Sequence, residues 1–103
     1  GWSAAISTDR LALGHWKKLW LWAEQNELLA EHTLSASLVD MRIAPDGQHL
    51  ITSRRTGLII HRLSDLSVCA VYPLPGDVGM LALSDDQVLV NVEDGIFRFR
   101  IPG

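Results

Sequence analysis

The chain has 103 residues, 48% of them hydrophobic and 20% charged, a balance that favours one small folded domain over disorder. A net charge of −3 gives no broad basic field, which argues against a nucleic-acid partner. No apolar stretch reaches the roughly 18 residues of a membrane-spanning helix, and Cys69 as the single cysteine leaves neither an internal disulfide nor a thiolate cluster for zinc.

Short strands are expected at residues 4–7, 11–14, 19–23 and 28–33, bounded by turn residues and by period-two alternation. Trp16, Leu19, Trp20 and Ala23 also fit helical spacing, and residues 24–32 are rich in helix formers. The repeat described next favours strands, because a helix would break its period on one side only. Trp20 and Trp22 are two apart, so they share one face of a strand, where they suit packing between sheets.

From residue 38 the chain repeats itself. LVDMRIAPD at 38–46 and VGMLALSDD at 78–86 match, with Leu38, Met41 and Ile43 in the places of Val78, Leu81 and Leu83. AAISTD at 4–9 matches the end of the pattern, and the offsets are 37 and 40 residues. In the second copy a strand at 41–44 ends at Pro45-Asp46-Gly47, where proline presets φ and glycine accepts a positive one. Strands at 49–53, 58–63 and 68–72 follow, separated by Thr56-Gly57 and Asp65-Leu66-Ser67. The third copy supplies 78–84, 88–92 and 96–101, with Asp94-Gly95 as the hairpin signal.

IAPDGQHLIT at 43–52 resembles the inner strand, turn and second strand of the WD-repeat β-propellers. EDGIFRF at 93–99 is similar to the family's Asp-Gly turn and third strand, and LWLW at 19–22 lies near where a third strand ends in tryptophan. The chain departs from the family in having no Trp-Asp dipeptide and no Gly-His pair before an inner strand. The buried Asp, His, Ser and Trp network of many members is therefore incomplete. The resemblance implies an all-β chain of propeller blades at about 1–36, 37–75 and 76–103, three antiparallel sheets of which the last lacks its outer strand. Three blades form an incomplete ring, so the remaining blades are expected from a longer parent chain, or alternatively from other copies.

No pairing of histidines 15, 32, 49 and 61 has zinc spacing, and neither a cofactor nor a metal is expected. Asp85-Asp86 and Glu93-Asp94 read as turn residues before they read as acid–base pairs. With no nucleophile elbow either, enzyme activity is not expected. Cys69 reads as a small core residue. The family binds proteins or peptides through its loop face. Carried onto this sequence, that face contains Trp16, Lys17, Arg54, Arg55, Asp77 and Glu93, of which tryptophan and arginine most often dominate interface energetics. The expectation is a non-enzymatic cytoplasmic scaffold with a protein or peptide partner. The alternative is an oligomerising propeller that holds a small molecule or sugar between blades through its tryptophans.

Overall fold

The computed structural model describes residues 2–84, 86–93 and 95–102. Eleven strands follow one another among them: β1 (Trp2–Ile6), β2 (Arg10–His15), β3 (Lys18–Ala23), β4 (Leu28–Thr33), β5 (Leu38–Ile43), β6 (His49–Arg54), β7 (Gly57–Arg62), β8 (Val68–Pro73), β9 (Val78–Ser84), β10 (Gln87–Val92) and β11 (Gly95–Arg100). The helical spacing after Trp16 yields only a single 3-10 turn, Glu24–Asn26. β3 pairs with β2 on one side and β4 on the other, so its backbone groups are committed to ladders that a helix would have to give up.

The strands form antiparallel sheets of β1–β4, β5–β8 and β9–β11, each in sequence order. The first strands lie side by side, β1 against β5 and β5 against β9. These are consecutive blades of an open β-propeller, as the sequence leads one to expect. Two hairpins turn one residue earlier than the sequence signal. β6 and β7 are joined by Arg55 and Thr56, with Arg54 paired to Gly57. β10 and β11 pair through Val92 and Gly95, which makes Glu93 and Asp94 the connecting residues; Asp94 itself, like Asp85, lies outside the described residues.

Apolar packing between sheets supplies the core. Ala12, Leu19 and Leu21 of the first sheet share a cluster with Met41, Leu50 and Ile59 of the second. Ile51, Leu58 and Ile60, on the other face of the second sheet, share a cluster with Leu81, Val88 and Val90 of the third. The middle sheet is thus covered on both faces, and this explains why β6 and β7 are buried at nearly every position rather than at alternate ones. In the first sheet Leu19 and Leu21 take the packing role. Trp20 and Trp22 face the opposite way, so within this chain the tryptophan pair is not an inter-sheet contact, contrary to the expectation from spacing.

One cross-strand place recurs in all sheets: Leu11 opposite Trp22, Leu50 opposite His61, and Val88 opposite Phe99. His61 therefore fills a position that is aromatic elsewhere, and it is fully buried. Its Nδ1 donates to the Leu66 carbonyl at 3.1 Å, and the Thr52 hydroxyl donates to its Nε2 at 3.0 Å. That pair of bonds satisfies a neutral ring. Burial pushes the imidazole down to about 4, the Leu66 carbonyl works the other way, and His32, with its ring 5.4 Å away, adds to the lowering.

The turn at Pro45-Asp46-Gly47 forms as the sequence suggests. Gly47 has φ of 69°, and the Asp46 carboxylate accepts from the Gln48 amide at 2.8 Å and sits 2.7 Å from His49 Nδ1. Partial burial alone would raise the Asp46 carboxyl, but the Gln48 amide and His49 together hold it below its usual value.

Gly57 marks a close approach, since a Cβ there would lie 2.6 Å from the Tyr72 carbonyl oxygen and 3.3 Å from Pro73 Cα. Both neighbours are backbone and cannot swing away. Gly57→Ala is expected to lower stability by about 1–3 kcal/mol, read as a drop in the urea midpoint. For His61 the folded value lies below the unfolded one, so its contribution is fully present above about pH 6.5 and is lost as pH falls toward 4. The loss amounts to at most about 3 kcal/mol. Urea titrations across this range should show the slope, and His61→Phe, which copies the third sheet, should remove that part of it.

Candidate functional site

All the loops carrying the sequence-predicted residues come to one end of the sheet stack, and backbone bonds hold them there. Leu34 N–H donates to the Lys17 carbonyl at 2.6 Å and Leu38 N–H to the Trp16 carbonyl at 2.7 Å. The next sheet repeats the arrangement: Leu74 N–H donates to the Thr56 carbonyl at 2.9 Å and Val78 N–H to the Arg55 carbonyl at 3.1 Å. Each connection between sheets is therefore clasped to the second hairpin of the sheet it leaves.

On this frame Trp16 and Lys17 form the β2–β3 turn, with both side chains exposed. Trp16 is 61% exposed and has φ of 55°, a left-handed conformation that is unfavourable for a bulky side chain. Its ring meets the edge of His15 at 6.1 Å and makes no stack with Trp20. Arg54 closes β6 opposite Leu38. Its guanidinium donates to the Ser35 hydroxyl, and its buried Nε has no acceptor among the described residues. Arg55 and Asp77 form an exposed pair at 3.4 Å and 3.5 Å, a geometry and exposure that give little net stability. Glu93 also has a left-handed backbone, with φ of 49°, and its carboxylate lies against Gly76, where a Cβ would come within 2.7 Å of Oε1.

Arg54, Arg55 and Asp77 are thus close neighbours, and Trp16 joins them through Leu38, while Glu93 borders them through the 74–77 loop. The loop at 34–37, with Ser35, completes the face and was not legible from sequence. Ser35, Ala36 and Ser37 are small like the residues of any turn, and the bond to Arg54 spans 19 positions.

Two other features lie off this face. A second aromatic group covers the outward side of the first sheet, where Trp2 stacks on His15 at 4.1 Å and on Trp20 at 6.1 Å. At the opposite end of the stack an open cleft of about 660 Å³ is lined by Arg10, His49, Arg62 and Cys69 among others. The Arg10 guanidinium is already paired with Asp9 at 3.4 Å, so charge is not concentrated there. Among the described residues no group of three or more His, Cys, Asp or Glu side chains is placed to hold a metal ion.

These sheets have the WD40-like β-propeller fold. Sqt1 from Saccharomyces cerevisiae superimposes with a TM-score of 0.81 at 11% identity, covering 97% of this chain and 31% of its own. BamB from Moraxella catarrhalis gives 0.75 at 17% identity over 95% and 33%, and the C-terminal WD40 domain of Sif2 gives 0.74 at 18% over 100% and 34%. At these identities the likeness shows the fold alone, and the chain spans about a third of each structure. No family model matches the sequence, and no curated protein matches it.

The left-handed backbone at Trp16 gives a direct stability test. A non-glycine residue there costs roughly 1–2 kcal/mol, and the exposed ring contributes little packing in return. Trp16→Gly is expected to leave thermal stability unchanged or to raise it by up to about 1 kcal/mol, measured as the unfolding midpoint.

Proposed function

We propose that this chain is part of a non-enzymatic WD40-like scaffold that binds a protein or peptide partner through the loop face carrying Trp16, Lys17, Arg54, Arg55, Asp77 and Glu93. In this reading further blades, from a longer parent chain or from other copies, complete the ring. The observation that carries it is Trp16 itself: a large ring held outward on a backbone that disfavours it, at the end of the stack that also carries two arginines. Strain of this kind collects where function requires a particular side chain. Arg54 adds a guanidinium fixed by Ser35. A partner carboxylate or carbonyl group would find planar donors next to an apolar ring, the combination that anchors interfaces.

The second reading, a sugar or small molecule held between blades, is favoured by one observation only. Trp2 is 65% exposed and stacked with His15 and Trp20, which supplies the flat ring surface that such a ligand would use.

The loop face is tested with a displayed random-peptide library panned on the immobilised chain. Enriched peptides should bind it and lose about 30-fold or more in affinity with Trp16→Ala, Arg54→Ala and Arg55→Ala combined, about 2 kcal/mol. Peptides that bind the triple variant equally well would remove this surface from consideration.

A further inference from the structure

Charge is divided unevenly over the loop face. Towards the third sheet, Arg55 is paired with Asp77 at 3.4 Å, and the Glu93 carboxylate lies against Gly76. Towards the first sheet stand Lys17 and Arg54, neither of which has an ion pair among the described residues. Carboxylates on the adjoining strands are engaged elsewhere. Asp40, opposite Ser53, accepts from the Met41 amide at 2.9 Å and meets Arg42 at 3.4 Å, while Glu31 is 3.2 Å from Lys18.

Arg54 differs from a freely solvated surface arginine. It closes β6, where its backbone is held between Leu38 and Gly57, and its guanidinium donates to the Ser35 hydroxyl. Its Nε is buried with no acceptor among the described residues, whereas the bond to Ser35 lies in the exposed part of the face. The cation is therefore partly withdrawn from water, oriented by a neutral hydroxyl and left without a counter-charge. That combination costs stability unless a charge from outside the chain offsets it. Two bonded paths tie Arg54 to the β2–β3 turn. Leu38, cross-strand from Arg54, donates to the Trp16 carbonyl, and Leu34, next to Ser35 in the chain, donates to the Lys17 carbonyl. One path thus leads from the guanidinium to an exposed indole and the other to a second exposed cation.

We propose that the peptide partner of the loop face carries an aspartate or glutamate whose carboxylate binds the terminal nitrogens of Arg54 beside Ser35, so that Arg54 is the residue that selects acidic peptides. A planar guanidinium and a planar carboxylate match through two parallel charge-assisted bonds, which are stronger than the bond to a hydroxyl. Lys17 adds positive charge on the same side of the face. The inference rests on the loop-face reading above. It asks nothing of the outward faces of the sheet stack, and it holds whether further blades belong to the same chain or to another.

Peptides enriched on the immobilised chain provide the test. They should carry Asp or Glu in excess, and changing one particular acid to its amide should weaken binding by about tenfold or more. On Arg54→Gln the same change should matter by less than about twofold, because the acid has already lost its partner. Arg54→Lys, which keeps the charge but not the fork, should fall between the two; it replaces Arg54→Gln if a urea midpoint shows that glutamine unsettles the fold. Peptides without acidic residues, or an acid-to-amide change as damaging on Arg54→Gln as on the original chain, would overturn the inference. The loop face would outlast that result if the same peptides still lost affinity on the triple variant. A phosphoserine that binds about tenfold or more tighter than the acid it replaces would overturn the carboxylate as the group recognised. Peptides indifferent to the triple variant would remove the surface and this inference together.

Discussion

Sheet-on-sheet burial is the constraint on which this structure depends. Hydrogen bonds satisfy each sheet internally, but they do nothing for its faces, and a face lined with leucine, isoleucine and valine must meet another one. The second sheet meets this need twice, with Leu50 and Ile59 turned toward the first sheet and Ile51, Leu58 and Ile60 toward the third. The place of each residue in the repeat follows from that requirement. So does the tolerance for a histidine at position 61, where the shape of an aromatic ring is needed and its polar atoms find Thr52 and the Leu66 carbonyl.

Much of this architecture was legible in the sequence because burial leaves a period. Leu38, Met41 and Ile43 reappear as Val78, Leu81 and Leu83, and the turn at Pro45-Asp46-Gly47 announces itself through residues with fixed backbone preferences. Details governed by pairing were less visible. Thr56-Gly57 and Asp94-Gly95 suggested where hairpins bend, yet register assigns the bend to Arg55-Thr56 and to Glu93 with its neighbour. Glycine follows the turn in both cases; at position 57 it is the space beside Tyr72, and not the turn, that asks for it. The tryptophan pair at 20 and 22 was read correctly as sharing a face, but alternation cannot say which face is inward, and Leu19 and Leu21 hold that side.

The loop surface shows the same division. A family resemblance points to Trp16, Arg54, Arg55, Asp77 and Glu93, and the strands deliver their backbones to one end of the stack. What composition does not reveal is how they are tied together. The bond between Arg54 and Ser35, the left-handed backbone at Trp16 and the approach of Glu93 to Gly76 all depend on partners far apart in the chain or on a conformation that a tryptophan does not advertise.

The clasps between loops and hairpins use main-chain atoms at both ends: Leu34 to Lys17, Leu38 to Trp16, Leu74 to Thr56 and Val78 to Arg55. Leu34, Leu74 and Val78 also bury their side chains in the core, whereas Ala36 and Ser37 lie between the fastenings. Residues 36 and 37 can accordingly drift in evolution, or be rewritten by an engineer seeking a new target, while the frame that displays them keeps its shape. Position 76, crowded by Glu93, is where that freedom stops.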